Sequence, residues 1–318
     1  MVDLMRSYPY AQVMKLKNSV EYVLFRFGLG ILRLGPYRWS CAMLRWFART
    51  VGMRWGLRRR TVVRQMQTVY PARSAAAIAE LAGRVYDHLG LTLAEALLAD
   101  PDKLHASVAV KPDWEILDRA RGRGVGVIVA TAHLGNFELG GRVLARRYPL
   151  LDVVKPLRNL QVDRFLQEQR ARFGIRTVVV DRSGRGMIEH LRNNGVVSLL
   201  MDQDAGKTGM RLPFLGRPAS TWTGAARVSI RTGCPVVPAC ILRRPDGSHV
   251  LQLAPALEPG GLTGTEQDVA EFTLRISQAV EDFILDQPEQ WFWVHRRWKG
   301  AGEARIIRDL AADSGSGS

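Results

Sequence analysis

The sequence predicts an α/β fold, a mostly parallel sheet flanked by helices, with an N-terminal amphipathic helical membrane-contact segment. Three observations lead there. From Val125 onward, near-continuous Val/Ile/Leu runs alternate with helical patterns, as strands covered on both faces by helices require. Ahead of them, arginines interleave with large apolar and aromatic side chains in a helical rhythm. The length of 318 residues, 47% of them hydrophobic, suffices for one large core with a helical extension. The expected division is amphipathic helices over 1–56, an α/β domain over 57–312 and a disordered Gly/Ser tail over 313–318.

The N-terminal segment comes first. Its basic side chains are Arg6, Lys15, Lys17, Arg26, Arg33, Arg38, Arg45, Arg49, Arg54, Arg58, Arg59 and Arg60, against Asp3 and Glu21. Much of the net charge of +15 therefore sits here, and it calls for an anionic partner. Arg26 and Arg33 interrupt the best apolar run, which falls short of the about 18–20 residues of a membrane span. Two interfacial helices over about 19–56, broken at Gly35-Pro36, fit better, with Trp39, Trp46 and Trp55 at headgroup depth and Arg on phosphates. The bland alternative is that these helices only pack on the domain. No nucleic-acid motif accompanies the basic charge, so no nucleic acid partner is expected. Cys41, Cys234 and Cys240 have neither a disulfide framework nor metal-ligand spacing, and the start lacks the apolar core of a cleavable signal.

Helical patterns follow over Arg59–Val69, ending at Tyr70-Pro71, and over Ser74–Ala99. The alternation then predicts strands at Val125–Ala130, Leu151–Val154, Thr177–Val180 and Val196–Met201, with helices at Phe137–Arg147, Leu160–Phe173 and Met187–Asn193 between them. Residues 203–220, rich in Gly and Pro, read as a long loop of the kind that serves a site. A helix at Thr221–Arg231, strands at Val236–Leu242 and Val250–Leu253, and a helix over about 266–285 complete the pattern.

The densest chemistry is Thr131-Ala132-His133-Leu134-Gly135-Asn136-Phe137-Glu138, directly after a strand. On one helix, residues five apart diverge by about 140°. His133 and Glu138 can therefore pair only if His133 lies in the turn and Glu138 in the first helical turn. Glu138 holding one ring nitrogen would leave the other to take a proton from a hydroxyl. A structural histidine is the alternative. Lys155-Pro156-Leu157-Arg158-Asn159 sits past a strand end, where ligand sites lie in open α/β sheets, and Arg158 with Arg170 could grip an anion there. Asp202-Gln203-Asp204 closes a strand at the same edge; paired carboxylates can bind a metal or orient a hydroxyl, the lack of a second acidic cluster argues against a two-metal site, and no metal is expected to be required. Gly216 lies in the pliable loop, and Thr221 would cap the next helix as part of an anion cradle.

Six blocks in order then carry a resemblance: His133 to Glu138, Lys155 to Asn159, Asp202 to Asp204, Pro213 to Gly216, Thr232 to Pro238, and Pro288 to Lys299. Over about residues 20–300 the chain resembles the lipid A biosynthesis lauroyl/myristoyl acyltransferases, a branch of the lysophospholipid acyltransferase superfamily that includes phosphatidylinositol mannoside acyltransferases. The resemblance implies a membrane-associated bacterial enzyme at the cytoplasmic face of the inner membrane. It would move a fatty acyl chain from an acyl carrier protein or coenzyme A thioester to a hydroxyl of a glycolipid or lysolipid, foremost one of the lipid A type. It makes His133 the base, Glu138 its partner, and Arg170 part of a substrate-engaging block, with no cofactor beyond the thioester. Arg158, Asn159, Asp202, Gln203, Gly216 and Thr221 are the further substrate-binding candidates. Backbone N–H groups near Gly135-Asn136, or an arginine, would face the oxyanion. The competing classes are a hydrolase using the same pair on water and a non-catalytic lipid- or nucleic-acid-binding protein.

Overall fold

The computed structural model describes residues 3–180, 183–299 and 305–306. The chain opens with α1 (Asp3–Leu34), α2 (Tyr37–Arg49) running into a π-helical turn at Thr50–Arg54, α3 (Arg59–Val69), α4 (Ala75–Leu98) and α5 (Pro101–Ala106). Then β1 (Val108–Lys111), α6 (Glu115–Arg121), β2 (Val127–Thr131), α7 (Phe137–Ala145), β3 (Leu150–Val154), α8 (Leu160–Arg172), β4 (Arg176–Val179), α9 (Ser183–Arg192) and β5 (Val196–Leu200) alternate. The chain continues through β6 (Met210–Phe214), β7 (Arg217–Thr221), α10 (Gly224–Thr232), β8 (Val236–Arg243), β9 (His249–Leu253), α11 (Glu266–Asp286) and β10 (Arg305–Ile306).

Seven strands form one sheet in the order β1-β9-β8-β2-β5-β3-β4. Every neighbouring pair is parallel except β8 with β9. The parallel strands need crossovers, which the intervening helices supply. One sheet face packs Ile128, Val197 and Val236 under Met187, Ala225 and Phe272 from α9, α10 and α11; the other packs Val127, Val129 and Val237 under Leu117, Leu139 and Val143 from α6 and α7. Burial of both faces is why β2 reads as an unbroken apolar run.

A third cluster joins α3 and α4 to the end of the chain, through Val62, Met66, Leu81, Val85, Trp291 and Trp293. Helix α2 lies on α4 closely enough that a Cβ on Gly90 would fall 2.5 Å from Leu44 O, so the crossing requires glycine. Arg49 pairs with Asp87 at 2.5 Å across the same contact.

Two expectations change. Residues 203–220 are not an irregular loop: β6 and β7 form an antiparallel hairpin, and β10 pairs with β6. Leu215 (φ 48°) and Gly216 (φ 73°) make the left-handed two-residue turn that closes such hairpins. Met210, Leu212 and Phe214 are buried in alternation, but Pro213 and Pro218 hide the strand pattern in the sequence. Thr221 ends β7 instead of starting a helix, and the four-residue edge strand β1 carried no signal strong enough to predict it. The tail 313–318 lies outside the described residues.

Candidate active site

The site forms where β2 and β5, adjacent and parallel, end at the same sheet edge. Leaving β2, the chain turns sharply at Gly135, whose φ of 62° and carbonyl contact (a Cβ would lie 1.6 Å from Ile241 O) admit no side chain. His133 is thereby held in the turn. Leaving β5, the chain places Asp202 beside it. His133 Nδ1 lies 2.9 Å from Asp202 Oδ1, and the His133 backbone N–H donates to Asp202 Oδ2 at 3.1 Å. The Trp291 indole donates to the same Oδ2 at 2.8 Å. Phe292 N donates to His133 O at 3.0 Å, and the rings of Phe137 and Phe292 flank the imidazole at 4.9 and 5.9 Å.

Asp202 is 2% exposed. Burial by itself would raise its pKa, but the facing imidazole and the three donated hydrogen bonds outweigh that and hold it below the usual carboxylate value. An ionised Asp202 fixes the ring tautomer, since Nδ1 must carry the proton donated to it. Nε2 then presents its lone pair and meets the Gln203 amide at 3.2 Å. Such an arrangement can serve as an oriented base, with Nε2 facing the Gln203 amide.

Glu138 does not reach the imidazole. Arg170 donates to both of its carboxylate oxygens, and among the described residues no hydrogen bond joins Glu138 to His133. The reason is local. Asn136 caps α7, its side chain accepting from Leu139 N at 3.1 Å, so the helix starts at Phe137; the Phe137 ring takes the place beside His133 and Glu138 pairs with α8. The carboxylate bonded to the imidazole is Asp202, which the sequence placed among the substrate-binding candidates. Beneath the Glu138–Arg170 pair, burial and the Glu138 charge push the Asp152 carboxyl up to about 7.

The other candidates separate. Arg158 is exposed and makes no ion pair among the described residues. Asn159 is engaged structurally: its oxygen caps α8 at Gln161 N and Val162 N, and its amide donates to Asn18 O and Glu21 on α1. Gly216 serves the hairpin turn, on the far side of β6 from Asp202 in the chain. Thr221 is fully buried and its hydroxyl accepts from Arg297 at 2.8 Å, so it offers no anion cradle. The Gly135 N–H is likewise taken, donating to Gln290 O at 3.0 Å.

What the sequence reading did not assign is the role of the segment 291–298. Besides Trp291, the buried Arg297 donates to Ser220 O, Thr221 Oγ1 and Gln203 O and stacks 4.3 Å from the Phe214 ring, tying the hairpin to the strand end that carries Asp202. Burial lowers its pKa to about 10. His295 Nε2 accepts from Asp204 N at 3.1 Å, and Gln65 on α3 holds the segment by Trp293 O, His295 O and Arg297 N. The sequence marked this stretch as one of the six resemblance blocks and as dense in aromatic and basic residues, but gave its side chains no role.

Comparison with known proteins gives a consistent result. Residues 12–300 match the family described as bacterial lipid A biosynthesis acyltransferase. The chain is similar to the lipid A biosynthesis palmitoleoyltransferase of Escherichia coli (strain K12), 28% identical over 296 residues that cover 88% of this chain and 92% of that protein. The lauroyltransferase of the same strain is 26% identical over 294 residues, covering 88% and 92%. A phosphatidylinositol mannoside acyltransferase of Mycobacterium tuberculosis (strain CDC 1551 / Oshkosh) is 28% identical over 190 residues, 57% of each chain. Among solved structures, the 1-acyl-sn-glycerophosphate acyltransferase PlsC of Thermotoga maritima matches 72% of this chain and 95% of its own at 14% identity, with a TM-score of 0.27, a superposition too loose to bear on the chemistry.

Proposed function

The chain belongs to the bacterial lipid A biosynthesis acyltransferase family, and from that premise we propose that His133 and Asp202 catalyse direct transfer of a fatty acyl chain from a thioester to a lipid hydroxyl. Acyl transfer to oxygen is the activity of the family; donor, acceptor, base and membrane contact are the proposal. The thioester is carried by acyl carrier protein or coenzyme A, and the acceptor is a glycolipid of the lipid A type. The observation that carries the reading is the 2.9 Å contact between His133 Nδ1 and Asp202, which leaves the Nε2 lone pair, met by the Gln203 amide at 3.2 Å, to act as the base.

In the reaction, Nε2 takes the acceptor O–H proton as the oxygen attacks the thioester carbonyl. The tetrahedral adduct collapses with cleavage of the C–S bond. The leaving thiolate then takes the proton from the imidazolium, returning neutral His133. Because a thioester is already activated, an oriented base and positioning suffice, with no acyl-enzyme and no cofactor beyond the thioester. Glu138 and Arg170, which pair with each other, and the exposed Arg158 are assigned to substrate binding. The test is His133→Ala: transfer should fall about 100- to 10,000-fold with the fold unchanged. Near-wild-type turnover would sink the reading.

Membrane contact is assigned to α1, α2 and the turn after them. There Phe27 (67% exposed), Trp39 (76%), Trp46 (66%) and Trp55 (73%) stand in solvent among arginines, the combination that inserts apolar side chains between anionic headgroups. Among the described residues no helix is long and apolar enough to cross a membrane. On this reading the contact lies at the interface on the cytoplasmic face of the inner membrane, where an anionic lipid surface would be the partner for the basic charge.

A further inference from the structure

A second group of buried charges lies on the opposite side of the His133 turn from Asp202. Glu95 on α4 and Arg243 at the end of β8 form an ion pair whose side chains are 8% and 9% exposed, with Arg243 donating to both Glu95 oxygens at 2.8 and 2.5 Å. His88, two helical turns before Glu95 and so on the same face of α4, takes a bond from Arg243 Nη1 on Nδ1 at 2.6 Å. Burial first, and then the Arg243 charge, lowers the His88 pKa to about 3, so the ring is neutral and its Nε2 carries the proton.

Both ends of this group reach the turn. His88 Nε2 donates to Gly135 O at 3.2 Å, and the Asn136 amide donates to Glu95 Oε2 at 2.8 Å. These are consecutive residues, two and three places after His133. On its other side the turn is held by Asp202 at His133 N and by Phe292 at His133 O. A buried ion pair contributes little to stability relative to apolar side chains of the same volume. A pair kept at this position is better accounted for by what it fixes in space.

We propose that Glu95, Arg243 and His88 are positioning residues that clamp the Gly135-Asn136 turn and thereby set the His133 ring against Asp202. The inference builds on the assignment of His133 as the base. A displacement of about 1 Å at a reacting group can cost on the order of 100-fold in rate, so a clamp on the turn acts on turnover rather than on substrate affinity.

The test uses the full chain and two variants. Glu95→Leu/Arg243→Met replaces the pair with apolar side chains, removing both charges together so that neither is left unpaired. Asn136→Ser keeps a helix cap and the ion pair but cuts the link to Glu95. Each is assayed for kcat and KM with lauroyl thioesters of coenzyme A and of acyl carrier protein and under-acylated lipid A as acceptor, for melting temperature, and for the downfield NMR signal of the His133 Nδ1–H bonded to Asp202, assigned by its loss in His133→Ala. The expected result is kcat reduced about 10- to 100-fold, KM within about two-fold, and broadening or loss of the signal while Asn136→Ser stays folded. Wild-type kcat with an unchanged signal in either folded variant overturns the clamp. If the wild-type chain transfers no acyl group, or His133→Ala still does, the proposed function fails, and the signal alone decides the clamp.

Discussion

Five of the eight tryptophans set two regions of the molecule in contrast. In the α/β region Trp291 and Trp293 are 2% and 0% exposed and each indole N–H is bonded, to Asp202 and to Pro288 O. In the N-terminal helices Trp39, Trp46 and Trp55 are each more than half exposed. A buried indole must find an acceptor, and at this site the acceptor of Trp291 is the carboxylate bonded to the His133 ring. Among the described residues no such acceptor is seen for the exposed indoles among the arginines, and exposing that apolar surface to water carries a cost that contact with a lipid surface would remove. One region therefore uses tryptophan to fix a geometry; under the proposed function the other uses it to meet a surface.

The largest expected effect tests the buried region. Asp202→Asn preserves shape but removes the charge that fixes the His133 tautomer, and steady-state kinetics should show kcat lower by about 100- to 10,000-fold. Glu138→Gln, by contrast, should act through Arg170 and raise the apparent KM for donor or acceptor more than it lowers kcat. If Glu138→Gln were the more damaging of the two in kcat, Glu138 rather than Asp202 would be the partner of the base.

Next in size is Trp291→Phe, which keeps the ring in the core and removes one donor to Asp202. Leaving a buried charged acceptor short of a bond costs about 1–3 kcal/mol, so denaturant unfolding should register that loss together with a fall in kcat. Unchanged stability and rate would separate Trp291 from the site and weaken the contrast between the two regions.

The smallest effects on the isolated protein are expected in the exposed region. Trp39, Trp46 and Phe47 replaced by Ser should leave the melting temperature nearly unchanged, yet weaken sedimentation with anionic vesicles at every salt concentration. Arg58, Arg59 and Arg60 replaced by Gln should weaken vesicle binding chiefly at low salt, because charge attraction is screened and apolar insertion is not. Equal binding by wild type and both variants would reassign the lipid contact to the crevice near His133.

The residues themselves made much of this legible. The apolar runs that became β2, β3 and β5, the break at Gly35-Pro36, and the His133 turn all follow from local pattern, because period and turn chemistry act over a few residues. The partner of His133 was not legible in that way. Spacing pointed to Glu138, five residues on, whereas the observed contact spans 69 residues to Asp202 and the indole bonded to Asp202 lies 89 further along. Likewise the prolines of β6 and β7 masked a hairpin whose alternation is plain once Phe214 and Leu212 are seen buried.

By itself the sequence determined the alternating strands and helices, the glycine turn that holds a histidine at a strand end, and the basic, aromatic character of the first helices. Only the tertiary structure decided which carboxylate meets that histidine. Strand order is set by crossover helices packing on both sheet faces, and this places β5 beside β2. The Asn136 cap starts α7 at Phe137, and Glu138 then pairs with Arg170 on α8. Contacts between elements depend on how whole faces pack, a property that no window of neighbouring residues contains.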